Sequence, residues 1–125
     1  MAEPKKKILI LEDDQFALKL YSARLSDEGF NVVATPRAQE AVRLAETHRP
    51  NLIIVDLMLQ DGDGFSAISA LRATPGLEKT PIVVLTNLGQ EADMEEARKR
   101  GANEYLVKSQ LRFQEVVDRI KALLA

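Results

Sequence analysis

Three short runs in this chain are wholly apolar and rich in branched residues: Ile8-Leu9-Ile10-Leu11, Leu52-Ile53-Ile54-Val55 and Ile82-Val83-Val84-Leu85. Apolarity that is continuous rather than alternating marks strands covered on both faces, which is the condition of a parallel sheet. Two weaker runs, Phe30 to Ala34 and Glu104 to Val107, fall where further strands are expected. Between the runs the period changes to that of a helix. Leu18, Tyr21 and Leu25 share one face, as do Ala38, Ala41, Val42 and Ala45; Phe65, Ile68 and Leu71 mark a third helix. A fourth, from Glu91 to Arg100, has only Ala92, Met94 and Ala97 to bury, and a fifth carries Phe113, Val116, Val117, Ile120 and Leu124 on one stripe. Thr35-Pro36 reads as N-cap and first turn of the second helix, Asp63 as cap of the third, and Gly29 and Gly101 as helix ends. Five alternations of strand and helix, joined by right-handed crossovers, give an α/β fold: a doubly wound, five-stranded parallel sheet with helices on both faces.

The 125 residues suit one domain with one core, with a tail over about residues 1–6, and Lys5-Lys6-Lys7 reads as solvated rather than as a basic patch. With 17 Lys+Arg against 19 Asp+Glu, the chain lacks the basic excess that holds a phosphate backbone, so direct nucleic-acid binding is not expected. Absent cysteine excludes disulfides, thiol nucleophiles and Cys-ligated zinc, and the lone His48 cannot build a histidine metal site. No apolar run is long enough for a membrane span, and a cytoplasmic location is expected. Carboxylates, hydroxyls and amines must carry any chemistry.

Such groups stand where the strands stop: Glu12-Asp13-Asp14, Asp56, Thr86-Asn87 and Lys108-Ser109. A parallel sheet brings all carboxyl ends of its strands to one edge, where ligands bind. Taken singly, each residue is explained as a helix cap or loop residue. Taken together, Glu12, Asp13 and Asp56 repel one another unless a cation neutralises them, and an all-oxygen set suits a hard ion such as Mg²⁺. Lys108 and the Thr86 hydroxyl then suit the oxygens of a phosphoryl group beside the ion. Asp56, ending a central strand, is placed to act as a nucleophile and form an aspartyl-phosphate.

These residues resemble the receiver domain of two-component response regulators over essentially the whole chain. The resemblance places Glu12 and Asp13 at the metal site, makes Asp56 the phosphoacceptor and gives the Met58 backbone carbonyl as a further metal ligand. It matches Asp63-Gly64 to the pair that opens the third helix, Thr86 to the switch hydroxyl, Tyr105 to the switch aromatic and Lys108 to the lysine that contacts the phosphoryl group. It implies the flavodoxin-like strand order 2-1-3-4-5. It further implies a protein that catalyses only its own phosphorylation and dephosphorylation, with a histidine kinase or phosphotransfer protein as donor and a protein target downstream. A stand-alone, single-domain regulator is the form expected. Three departures stand out. Gln60 replaces a customary proline, which is expected to loosen the loop after Asp56. Ser109 replaces a proline that commonly follows the lysine with a cis bond, leaving Lys108–Ser109 either trans or strained. Asn87 stands where a small residue is usual, able to reach the phosphoryl group or to narrow access.

Other readings weigh less. Asp61-Gly62-Asp63-Gly64 resembles a calcium loop, but with Gly64 as its sixth residue the end ligands would be Leu59 and Ala70. An aspartyl-nucleophile phosphohydrolase requires a second aspartate where this chain has Met58. A receiver-like module that is never phosphorylated would not need Glu12, Asp13, Asp56, Thr86 and Lys108 together. His48, at a helix end, reads as a surface residue, and Arg98-Lys99-Arg100 as a helix C-terminus favoured by its dipole.

Overall fold

The computed structural model describes residues 4–125. Five strands, β1 (Lys7–Leu11), β2 (Asn31–Thr35), β3 (Leu52–Val55), β4 (Ile82–Thr86) and β5 (Glu104–Val107), alternate with helices α1 (Gln15–Asp27), α2 (Ala41–His48), α3 (Gly64–Arg72), α4 (Glu91–Arg100) and α5 (Phe113–Leu124). All strand pairs in this sheet are parallel, in the order β2-β1-β3-β4-β5. Both expectations drawn from the sequence, the class and the strand order, hold. The first three residues of the tail lie outside the described residues; Pro4, Lys5 and Lys6 are exposed ahead of β1.

The apolar runs hide an alternation. Leu9, Leu11, Ile53, Val55, Ile82 and Val84 pack with Ala41, Ala45, Ile68, Leu71 and Ala97, so α2, α3 and α4 cover that face. Ile8, Ile10, Leu52, Ile54, Val83 and Leu85 pack with Leu25, Val116, Val117 and Ile120 beneath α1 and α5. Successive side chains point to opposite faces, and both faces are dry, so the period of two leaves no polar trace. Each fully buried Ile or Leu contributes about 1.5–3 kcal/mol relative to exposure. That burial fixes the register, since a one-residue slip would exchange the two faces.

Register in turn fixes the site. Leu11 lies opposite both Thr35 and Val55, and Val55 opposite Val84. The ladder runs one residue further, with Glu12 N–H donating to the Thr35 carbonyl (3.1 Å) and Asp56 N–H to the Leu11 carbonyl (3.0 Å). The backbone of Glu12 and Asp56 is therefore held by the sheet itself.

Two helix starts differ in kind. Asp63 caps α3 as expected, its carboxylate accepting Ser66 N–H at 2.7 Å. Thr35 does not cap α2. It is the last residue of β2, and its hydroxyl accepts Arg37 N–H (3.1 Å) and donates to Glu40 (2.6 Å). A 3₁₀ turn, Ala38–Glu40, precedes α2, and its first N–H groups are taken by Asp61, a residue 23 positions away from Ala38. A distant carboxylate thus displaces the local Thr-Pro signal. In α4 only Ala97 is buried; Met94 is half-buried and Ala92 exposed.

Candidate functional site

The carboxyl edge of the sheet opens into a cleft of about 540 Å³ lined by Glu12, Asp13, Asp56, Met58, Asn87 and Lys108, among others. Glu12 and Asp56 are nearly sealed from solvent, 3% and 6% exposed. Lys108, first residue after β5, reaches across the edge: its Nζ donates to Asp56 Oδ2 at 3.0 Å and to Glu12 Oε1. The remaining oxygens are also engaged. Met58 N–H donates to Asp56 Oδ1 at 3.1 Å, and Asp14 N–H to Glu12 Oε2 at 3.2 Å. The structure therefore brings Glu12, Asp56 and Lys108 into direct contact, with Asp13, half-buried, and Met58 on the walls of the same cleft.

The electrostatics follow from one ammonium shared by two buried carboxylates, Glu12 and Asp56. Burial pushes the Glu12 carboxyl up to about 7, with repulsion from Asp56 adding to it and the Lys108 contact offsetting part. Burial works against the Lys108 ammonium, yet the Glu12 and Asp56 carboxylates outweigh it and hold its pKa above the ordinary lysine value. The site is short of positive charge.

Among the described residues, no three carboxylate, histidine or cysteine side chains form a ready-made metal cage. Magnesium seldom asks for one: it keeps several waters and takes one or two carboxylates together with phosphate oxygens. An open cleft with Glu12, Asp13, Asp56 and the Met58 backbone on its walls, all hard oxygen donors and undercompensated in charge, fits that mode.

Thr86 is fully buried at the end of β4, its hydroxyl accepting Leu88 N–H at 3.4 Å. Tyr105, half-buried on β5, donates its hydroxyl proton to the Leu88 carbonyl at 2.6 Å. Burial, then the charges of Asp93 and Asp56, push that phenol up to about 12. The two switch candidates thus meet through one residue, Leu88, which packs on the α2–α3–α4 side of the core. Asn87 is exposed on the cleft wall. The Lys108–Ser109 bond is trans, in a 3₁₀ turn over Lys108–Gln110. His48 lies at the opposite edge, where its backbone carbonyl accepts from Lys7 Nζ.

Sequence reasoning missed two contributors. One is the Met58 N–H, a main-chain donor to Asp56 that no side-chain pattern announces. The other is Asp61, whose Asp-Gly-Asp-Gly setting resembles a calcium loop and gives no sign of its bond to the turn before α2. The segment after Asp56, which carries Gln60, has a defined path. It folds into a small antiparallel hairpin, Met58 opposite Asp63 and Leu59 opposite Gly62. A Cβ on Gly64 would lie 2.3 Å from the Asp56 carbonyl oxygen, so only glycine lets α3 begin so close to the acidic residue.

Residues 8–121 match the response regulator receiver domain family. The chain is 34% identical over 120 residues to a probable transcriptional regulator, ycf27, of Cyanophora paradoxa, covering 96% of this chain and 48% of that protein. It is 34% identical over 119 residues to the alkaline phosphatase synthesis transcriptional regulatory protein PhoP of Bacillus subtilis, covering 95% and 48%. The chain thus spans about half the length of these relatives. Among solved structures it is similar to the chemotaxis protein CheY4 of Vibrio cholerae, with a TM-score of 0.91, 26% identity and coverage of 97% and 100%. It is also similar to the receiver domain of the sensor histidine kinase PA1611 of Pseudomonas aeruginosa, with magnesium in its active-site cleft (TM-score 0.88, 29% identity, coverage 97% and 98%). No helix among the described residues is long and apolar enough to cross a membrane. A buried aspartate paired with a lysine at the edge of a 2-1-3-4-5 sheet and a family match over nearly the whole chain agree: this chain belongs to the response regulator receiver domains of two-component signalling.

Proposed function

We propose that this chain accepts a phosphoryl group on Asp56 from a histidine kinase or phosphotransfer protein, requires Mg²⁺, and relays the change to a protein partner. The observation that carries the reading is the Lys108 ammonium set between Asp56 and Glu12 at the mouth of an open acidic cleft. A carboxylate oxygen of Asp56 attacks the phosphorus of a phosphohistidine. The new oxygen–phosphorus bond forms as the nitrogen–phosphorus bond breaks, and its electron pair returns to the imidazole. Lys108 offers a cation to the oxygens on which charge accumulates, and the Met58 N–H keeps the carboxylate oriented. Glu12, Asp13, Asp56 and the Met58 carbonyl would hold the magnesium, which when bound supplies the charge neutralisation that phosphoryl transfer needs. A new acceptor at Asp56 draws the Thr86 hydroxyl from Leu88 N–H, and Tyr105, bonded to the same residue, responds; two packings then differ by local contacts.

The test is incubation with acetyl phosphate and Mg²⁺. Wild type is expected to gain a hydroxylamine-sensitive phosphoryl group that Asp56→Asn lacks. Full labelling of Asp56→Asn would move the acceptor elsewhere, and an unmodified wild type would favour a pure interaction module.

A further inference from the structure

The segment between Asp56 and α3 has to hold the Met58 backbone in place, yet its hairpin pairs only two residues on each side around the loop Gln60-Asp61. A hairpin that small does not stand by itself in water. Position 60 is glutamine, so no ring fixes its φ either. The anchor comes from outside. Asp61 extends its carboxylate to the start of the 3₁₀ turn before α2, where Oδ1 accepts Ala38 N–H at 2.8 Å and Oδ2 accepts Gln39 N–H at 3.3 Å. These are orphan donors at the positive end of a helical segment, which makes them fit partners for an anion. The Asp61 carboxyl accordingly sits below the ordinary aspartate range, with the Ala38 N–H as the largest cause. Gly62 passes close to the same turn: a Cβ there would meet the Ala38 Cβ at 3.4 Å, an ordinary van der Waals contact. From this tether the chain of contacts leads to the reacting group, through Leu59 and Met58 to the Met58 N–H on Asp56 Oδ1.

We infer that Asp61 is a positioning residue for the phosphoacceptor site, clamping the hairpin to the α2 entry so that Met58 is held for Asp56 and for the metal. The inference rests on the functional reading above. It assigns Asp61 no contact with metal or phosphoryl group; its effect passes through the Met58 backbone.

The experiment titrates Mg²⁺ into the purified chain by calorimetry and follows hydrogen exchange of the Met58 amide. Asp61→Ala is expected to weaken Mg²⁺ binding by about 3- to 10-fold, below the 10- to 100-fold typical of partners that touch a ligand directly, and to speed Met58 exchange. Asp61→Asn, which keeps one acceptor, should recover much of the loss. Ala38→Pro removes the shorter bond from the other side without altering the hairpin. Arg37 before it is already extended (φ −112°, ψ 119°), so the substitution is compatible with the backbone and should act in the same direction. Asn51→Ala, which breaks an acceptor for Lys7 N–H at the opposite edge, should leave Mg²⁺ binding unchanged. Wild-type affinity in both Asp61→Ala and Ala38→Pro, or equal weakening by Asn51→Ala, overturns the inference. Because metal binding is read without phosphorylation, a wild type that binds Mg²⁺ but takes no phosphoryl group would sink the functional reading alone. A wild type that binds no Mg²⁺ would remove both.

Discussion

Gly64→Ala is the smallest change that presses on the site from beneath. The added methyl would sit 2.3 Å from the Asp56 carbonyl oxygen and 2.6 Å from the Leu57 Cα. Both obstacles are backbone, and Asp56 is held to Leu11 by the sheet ladder, so α3 must retreat or the end of β3 must shift. Forced overpacking costs roughly 1–3 kcal/mol. Retreat of α3 also stretches the Gly64 N–H to Leu57 carbonyl bond, now 3.1 Å, at a further cost of about 1 kcal/mol. Alanine restricts the unfolded chain and returns about 0.4–1 kcal/mol. The balance is a destabilisation of about 2 kcal/mol, which for a domain of this size lowers Tm by roughly 6–10 °C. Urea and thermal unfolding followed by circular dichroism measure it. Val117→Ala is the control: it removes volume from the α5 face, far from the cleft, at comparable cost. Gly64→Ala should slow labelling by acetyl phosphate more than Val117→Ala does, because its displacement falls on Asp56. A variant within about 0.5 kcal/mol of wild type, or labelling slowed no more than in the control, would refute the reasoning.

Three further outcomes are expected. In metal-free protein the Glu12 carboxyl, at about 7 against an ordinary 4.5, binds protons more tightly in the folded than in the unfolded state. Stability therefore falls as pH rises from about 4.5 to about 7. Glu12→Gln should gain on wild type across that window, and a pH-independent difference in urea midpoints would contradict it; Mg²⁺ affinity of wild type should fall as pH drops through the same range. Thr86→Ala should still accept the phosphoryl group but lose the coupling to Tyr105, read as amide shifts of β5 and α4 on phosphorylation, and wild-type shifts in the variant would remove Thr86 from the switch. The phosphorylated state should be long-lived, because Met58, 57% exposed on the cleft wall, cannot hydrogen-bond an attacking water. Met58→Asn should shorten the lifetime, and unchanged decay would shift control to Asn87.

Distance along the chain does not decide what can be read from a sequence. Lys108 and Glu12 are 96 residues apart and touch, and their meeting was legible. Continuous apolar runs imply parallel strands, parallel strands bring their carboxyl ends to one edge, and a polar residue closing each run must then stand there. The fold class itself performs the juxtaposition. Asp61 and Ala38 are only 23 apart, and their bond was not legible. Both lie in connections, whose paths the class leaves open, and each carried a stronger local signal: Thr35-Pro36 for a self-capped helix, Asp61-Gly62-Asp63-Gly64 for a calcium loop. The Asp63 cap is legible because its donor, Ser66 N–H, lies three residues away on the helix it opens. A cap is therefore predictable when its partner is fixed by the element it begins, and a site residue when its position is fixed by the sheet. What escapes is the contact between two loops. Here that contact leads through the hairpin to the Met58 N–H on Asp56, so the part of the site least visible in the sequence is the one that braces the Asp56 carboxylate from outside the sheet.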